Sequence, residues 1–449
     1  LAGAVAAFPT SSRGAPHARF ALARFSADVT VPVGHPLMGG GIAPASRVDD
    51  PLSARGIVLL GGSKPIVLAA VDWCEIRNQA YDQWRTLLAE AAATEPENVL
   101  VASVHQHDAP IVDLEAQQIL QEHHCQGRIC DLPFHHQAVR RVAQSLRDAL
   151  RFAEGVTHVG VGQAKVNRIA SNRRYRAPDG SLRFDRTSST RDAAAHDAEE
   201  GTIDPWLKSL SFWNADRPLA VLSAYATHPM SYYGQGAVSS DFVGLAREMR
   251  TRDEPGVHQV YFSGASGNVT AGKYNDGSLE NRPRLAERLH GAMRESFREC
   301  KRHALERVEL RRVELRLAPR TSPGFTEQDL ETRLGGQSRP FDQCLAAMGL
   351  SWRRRVQRGQ PLDLTVLDLG AAQFTLLPGE SYVEHQLKVQ ELAGRNFVMV
   401  SGYGECAPGY LPIEQAWVER DTNLRDWCWV DPGAEAALTG ALEKVIRRG

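Results

Sequence analysis

No run of the ~18 apolar residues needed to cross a membrane occurs in this chain. Charge of one sign is equally missing: 52 Lys and Arg stand against 53 Asp and Glu. That balance leaves no field to hold nucleic acid or an anionic membrane surface, so nucleic-acid binding and stable membrane insertion are both excluded as expectations. A small-molecule partner is expected instead, and nothing in the sequence indicates an oligomeric state. Cysteine is scarce, with seven scattered through 449 residues and no CxxC pair. This excludes a disulfide-dense scaffold and a zinc-finger framework. Cys125 with Cys130, and Cys406 with Cys428, could pair in an oxidising compartment, and buried free thiols are the alternative. There is no internal repeat in the sequence, and no low-complexity tract beyond "RDAAAHDAEE".

What is present is an ordinary globular composition, 43% hydrophobic and 23% charged, with enough apolar side chains for a large core. Short apolar or β-branched runs predict buried strands at 57–60, 66–71, 99–104, 219–225, 260–262, 374–377 and 397–400. Helical periodicity appears at 79–93, 137–153, 242–252, 284–304 and 434–447. Strands alternating with helices predict an α/β fold with a mixed or mainly parallel sheet and flanking helices. The polar stretch 175–202, with a Pro178-Asp179-Gly180 turn, reads as a loop or hairpin insertion. Residues 1–18 read as an amino-terminal tail, a possible signal-peptide remnant that would make the protein secreted or periplasmic; cytoplasmic is the alternative. Residues 19–449 read as the catalytic domain, with a smaller lobe from about 321–449.

Polar motifs repeatedly follow predicted strands: "VDWCE", "SVHQHDAP", "YATHPMSYYG", "FSGASGNVTAGKYNDG" and "LLPGES". In open α/β sheets, loops at strand carboxyl ends converge on one crevice, which is where ligands bind. Period-2 geometry would put His105 and His107 of "ASVHQHDAP" on one face of an extended segment, able to share a metal or substrate. The bland alternative is a pair of surface or hydrogen-bonded histidines. His228 in "ATHPM" supplies a third imidazole, a count that suits zinc. Glu380 in "LLPGES" follows a Pro-Gly turn, where it is either an exposed carboxylate or a helix-start glutamate favouring the dipole.

Taken together, these motifs resemble the neutral/alkaline ceramidases, zinc amidohydrolases that cleave an N-acyl bond. "ASVHQHDAP" is similar to the family's S-A-T-H-T-H-S-G-P, and seven further motifs follow the family's order over residues 19–433. They are "FALARFSADVTVPVGHPLMGG", "VLAAVDWCEI", "ASNRRY", "YATHPMSYYGQGAVSSDFVG", "GASGNVTAG", "LLPGES" and "APGYLPIEQAWVER". The resemblance implies zinc held by His105, His228, Glu380 and Tyr410, drawn from separate loops, which accounts for the absence of an HExxH helix. It implies that His107 faces the substrate carbonyl and that Arg173 holds the developing oxyanion. Thr270 stands where the family has a serine often assigned as nucleophile, so zinc-activated water is the first choice and Thr270 the second. Asp108, Arg174, Asn268, Lys273 and Asp241 are the candidate substrate contacts. A family tyrosine twelve residues after Tyr410 is replaced here by Asp421 or Thr422, with Tyr403, Tyr232 or Tyr233 as substitutes for its hydroxyl. A carboxy-terminal β-sandwich like that of full-length ceramidases is not expected in residues 19–449.

The function implied is zinc-dependent hydrolysis of an amide in a small, acylated substrate, which could be a sphingolipid. Two alternatives remain open: the same pocket acting on an ester, lactone or glycosidic bond of a small polar compound, or a non-catalytic binding protein with a structural metal.

Overall fold

Hairpins of β-branched and apolar residues, each followed by a helix and one further strand, account for most of the chain. The computed structural model describes residues 18–335 and 338–446, so the expected tail lies outside the described residues except for residue 18. In the first of three larger sheets the strand order is Val99–Ser103, Ile66–Val71, Ser53–Leu60, Phe20–Asp28, Glu154–Val156. The second runs His258–Ser263, Arg217–Tyr225, Trp206–Asn214, His158–Lys165, Lys301–Ala304. The third runs Phe397–Ser401, Ala372–Leu376, Leu362–Asp368, Glu309–Leu315.

These sheets share one topology. Three strands pair antiparallel in succession; a helix then crosses over, and the last strand pairs parallel at the edge. The crossover helices are Gln79–Ala92, Asp241–Asp253 and Val383–Ala393. A second helix follows each edge strand, Leu132–Ala149, Asn281–Arg298 and Ala434–Ile446, and packs on the first strand of its own sheet. The fold is therefore mixed α/β, and the mainly parallel alternative is corrected: each sheet holds one parallel pairing. Antiparallel neighbours need only a tight turn, whereas a parallel pair needs a long crossover, and each unit has one such crossover. The repeat is also a correction, because nothing in the sequence betrays it. A β-β-β-α-β-α unit requires a burial pattern, and many residue combinations satisfy that pattern.

Strands buried on both faces explain the near-continuous apolar runs. In Ile66–Val71, Val67, Ala69 and Val71 pack toward the helices, while Ile66, Leu68 and Ala70 pack into a core shared by all three sheets with Leu222, Phe262 and Phe374. Two of the strands that the pattern missed are rich in charged, exposed residues. Glu309–Leu315, "ELRRVEL", fully buries only its last residue. Lys301–Ala304, expected to end a helix, is a fully exposed edge strand: the helix stops at Arg298, and the charged segment pairs with His158–Lys165 instead. All seven cysteines are free thiols.

The parallel edge strands of the three units end at one place. The Ser103 amide donates to the Tyr403 carbonyl at 2.9 Å, and the Gly402 amide to the Ser263 carbonyl at 2.9 Å. The Ser263 hydroxyl closes the ring by donating to the Val104 carbonyl at 2.6 Å. Loops leaving these strand ends therefore start side by side, as the sequence pattern implied they should.

Candidate active site

His105 is the second residue past the end of its strand, and its backbone adopts φ 75°, in the left-handed region that non-glycine residues rarely use. The extended segment expected through His107 is therefore broken, and the two rings lie perpendicular, at 87°, instead of sharing a face. This bend turns His105 inward. Its Nδ1 meets the Cys74 carbonyl at 2.8 Å, and its ring stacks on Tyr403 at 4.1 Å. His228 is anchored the same way, its Nδ1 2.6 Å from the Ser266 carbonyl. A carbonyl can only accept, so each Nδ1 carries a proton, and each ring in its neutral form presents an Nε2 lone pair.

Glu380 follows Gly379, which takes φ 59°, and pairs with Tyr410 across a two-residue parallel ladder. It precedes the helix Val383–Ala393 and turns away from it, toward the histidines. The neighbouring loop is held close by Gly267, where a Cβ would lie 2.2 Å from the Glu380 carbonyl oxygen, so only glycine fits.

Three ligand atoms thus converge. His105 Nε2 and His228 Nε2 are 3.2 Å apart, and Glu380 Oε2 is 3.2 Å from the first and 3.0 Å from the second. Two lone pairs and a carboxylate at such distances repel one another unless a positive charge lies between them. The spacing is close to the ~3.3 Å edge of a tetrahedron with ~2.0 Å bonds to nitrogen and oxygen, the arrangement of a small divalent metal. Backbone carbonyls on both Nδ1 atoms are the supports that orient metal-bound imidazoles. The electrostatics agree: burial and then Arg173 push His228 down to about 4, keeping it neutral. Burial alone would also lower His105, but the Glu380 carboxylate overcomes it and raises His105, so the site favours a cation at this point. Burial opposes ionisation of Glu380, yet the two imidazoles hold it well below the usual carboxylate range.

Arg173 links the fourth expected ligand to this group. Its Nη1 donates to the Tyr410 hydroxyl at 2.7 Å and to Asn423 Oδ1 at 3.3 Å, while Nη2 lies 3.2 Å from His228 Nε2. His107 stands beside the triad, and its Nδ1 has no hydrogen-bond partner among the described residues. Burial and the His105 and His228 rings keep His107 neutral, well below the ordinary histidine value. His105, His107, Glu380, Arg173, Tyr410 and Asn423 line one cavity of about 210 Å³, with Met38, Ile111 and Trp427 as apolar wall, while His228 is buried outside that lining.

The other expected residues are elsewhere. The Thr270 hydroxyl donates to the Thr187 carbonyl at 2.7 Å and is absent from the cavity wall. Asn268 bridges the Val383 amide and Glu384, and Lys273 donates to the carbonyls of His196 and Ala198. Arg174 is paired with Glu419 through two bonds of 2.6 Å. Asp108 accepts from the Gly234 amide at 2.9 Å, and Asp241 from the Ser231 amide at 3.1 Å; Arg282 lies against both carboxylates. These two acids brace the loop carrying Tyr233, which does reach the cavity and packs on His107 at 4.8 Å. Reading residues by motif position missed Glu75, Asn423 and Trp427. Glu75 lies in the strand-end motif "VDWCE", whereas no local signal marks Asn423 or Trp427, which arrive from the far end of the chain.

No family model matches the sequence, and no curated protein matches it. Solved structures do match. A neutral ceramidase from Pseudomonas aeruginosa superposes with a TM-score of 0.69 at 16% identity, over 96% of this chain and 74% of that one. A ceramidase complexed with C2 gives 0.71 at 16% identity, over 96% and 75%. The chain shares the neutral ceramidase fold, in agreement with the resemblance drawn from its motifs.

Proposed function

We propose that this protein is a zinc-dependent hydrolase that cleaves an N-acyl bond of a compact substrate. The observation that carries the reading is the triangle of His105 Nε2, His228 Nε2 and Glu380 Oε2, of which His105 and Glu380 line an accessible cavity, with a guanidinium beside it. His105, His228 and Glu380 would hold zinc, with Tyr410 completing the set. Bound there, zinc supplies Lewis acidity, which polarises an acyl carbonyl and acidifies water near neutral pH.

The chain's own residues supply the rest. Arg173, buried and held protonated, offsets the negative charge that develops on the acyl oxygen, at the stage where fixed donors help most. His107 borders the same space with an imidazole free of protein partners on Nδ1, suited to hydrogen bonding with the substrate carbonyl or the departing nitrogen. Met38, Ile111 and Trp427 shield the acyl group from water. The cavity, about 210 Å³, favours a compact substrate over one whose long chain is wholly enclosed.

The test is metal analysis of the purified protein coupled to turnover of a panel of N-acyl amides and matched esters. One equivalent of zinc per chain is expected, with amide hydrolysis abolished by chelation and restored by zinc. Full turnover in metal-free protein would remove the zinc mechanism, and ester cleavage without amide cleavage would move the activity to the alternative bond class.

The place of Thr270 leads to a separate expectation. Thr270→Val should leave kcat/KM within about threefold of wild type and cost ~1 kcal/mol of stability through the lost hydrogen bond. A fall of ~100-fold in kcat with zinc content and folding intact would reinstate Thr270 as a nucleophile.

A further inference from the structure

Glu75 shares the cavity with these groups and takes no part in the chemistry just described. It opens the short strand Glu75–Arg77, which pairs in parallel with Ile111–Asp113. Its side chain is 1% exposed, and what remains accessible belongs to the cavity wall. Arg77 fixes it: Nη1 donates to Glu75 Oε2 at 2.7 Å and to the Cys406 carbonyl at 3.0 Å, while Nη2 donates to the Ala407 carbonyl at 2.8 Å. The guanidinium also lies 4.5 Å from the centre of the Trp429 ring, so the pair has little freedom to reorient. Arg77 is the sole hydrogen-bond donor to this carboxylate among the described residues, and it satisfies only Oε2.

The other carboxylate oxygen has no protein donor among the described residues, so a donor on a molecule entering the cavity can bond to it. An acyl chain has no donor to offer, so the half of the substrate facing Glu75 is the amine half. A substrate carboxylate finds no counter-charge at this end of the cavity, because the Arg77 guanidinium is already paired with Glu75. We propose that Glu75 is a specificity-determining residue that hydrogen-bonds a hydroxyl or second amine on the leaving half of the substrate, beyond the scissile nitrogen, and turns away acyl amino acids. The assignment rests on the hydrolase reading above for what counts as the leaving half.

Two measurements on the zinc-loaded protein separate the claims. Calorimetry compares serinol with isopropylamine, which differ only in hydroxyls, and kinetics compare N-acetylserinol with N-acetylserine, which differ by one carboxylate. Wild type should bind serinol at least ~10-fold more tightly than isopropylamine and favour N-acetylserinol over N-acetylserine by a similar factor in kcat/KM. Glu75→Gln keeps an acceptor for Arg77 and should bring the binding ratio and the kinetic ratio within ~3-fold of unity, with zinc content and Tm close to wild type. Equal affinity of wild type for serinol and isopropylamine overturns the proposal, and this comparison decides it even if the variant does not fold. Unchanged ratios in a folded Glu75→Gln also overturn it. Absence of all amide turnover, with a Glu75-dependent preference for serinol retained, overturns the hydrolase reading and supports the recognition role.

Discussion

Replacing His228 with alanine is expected to weaken zinc binding by at least ~100-fold and to lower kcat/KM in parallel, because losing a donor atom costs no less than losing the groups that merely orient one. The geometry makes His228 the most exacting choice. Its Nε2 is within 3.2 Å of His105 Nε2 and 3.0 Å of Glu380 Oε2, so its removal opens one corner of the triangle and leaves the other two atoms unable to enclose an ion. The ring is fully buried and held through Nδ1 by the Ser266 carbonyl, which fixes its Nε2 at this corner. Competition with a chromophoric chelator measures the affinity, and circular dichroism checks that the fold persists. A folded variant with full zinc content and full activity would show that the metal, if any, is bound elsewhere.

Arg173→Lys should act differently, lowering kcat by ~100- to 1000-fold with zinc content preserved, the scale seen when one oxyanion donor is removed. Lysine keeps the positive charge but is a single point, whereas the planar guanidinium reaches Tyr410 and Asn423 with one nitrogen and the His228 corner with the other. Burial makes this difference severe, because a lost donor counts for more in a low-dielectric setting than in water. Separate determination of kcat and KM is the check. An effect confined to KM would make Arg173 a substrate clamp, and zinc loss matching that of His228→Ala would make it a brace for the metal site.

The candidate metal donors were legible because each lies just past a strand, where an apolar run gives way abruptly to a short polar motif. His105 follows "VLVAS", His228 follows "LAVLSAY", and Glu380 follows "AQFTL". Their convergence was not, since 123 and 152 residues separate the three in turn, and their meeting depends on hydrogen bonds tying Ser103, Ser263 and Tyr403. Motif position does not give side-chain orientation. Thr270, Asn268 and Lys273 sit in a polar loop beside the site, yet their side chains satisfy backbone groups and a carboxylate of neighbouring segments. A loop residue's chemistry depends on which side of the backbone faces the cavity, and no spacing rule governs that outside a regular strand or helix.

Local pattern was therefore enough for the α/β class, the two-sided burial of the central strands, and the imidazoles and carboxylate at their ends. These follow from the alternation and length of apolar runs, which are properties of neighbouring residues. The threefold use of one topology, the φ 75° turn that separates His105 from His107, and the half-satisfied carboxylate of Glu75 required the folded chain. Each depends on contacts between residues distant in sequence, where the requirement is a complementary surface or partner, and many sequences meet it.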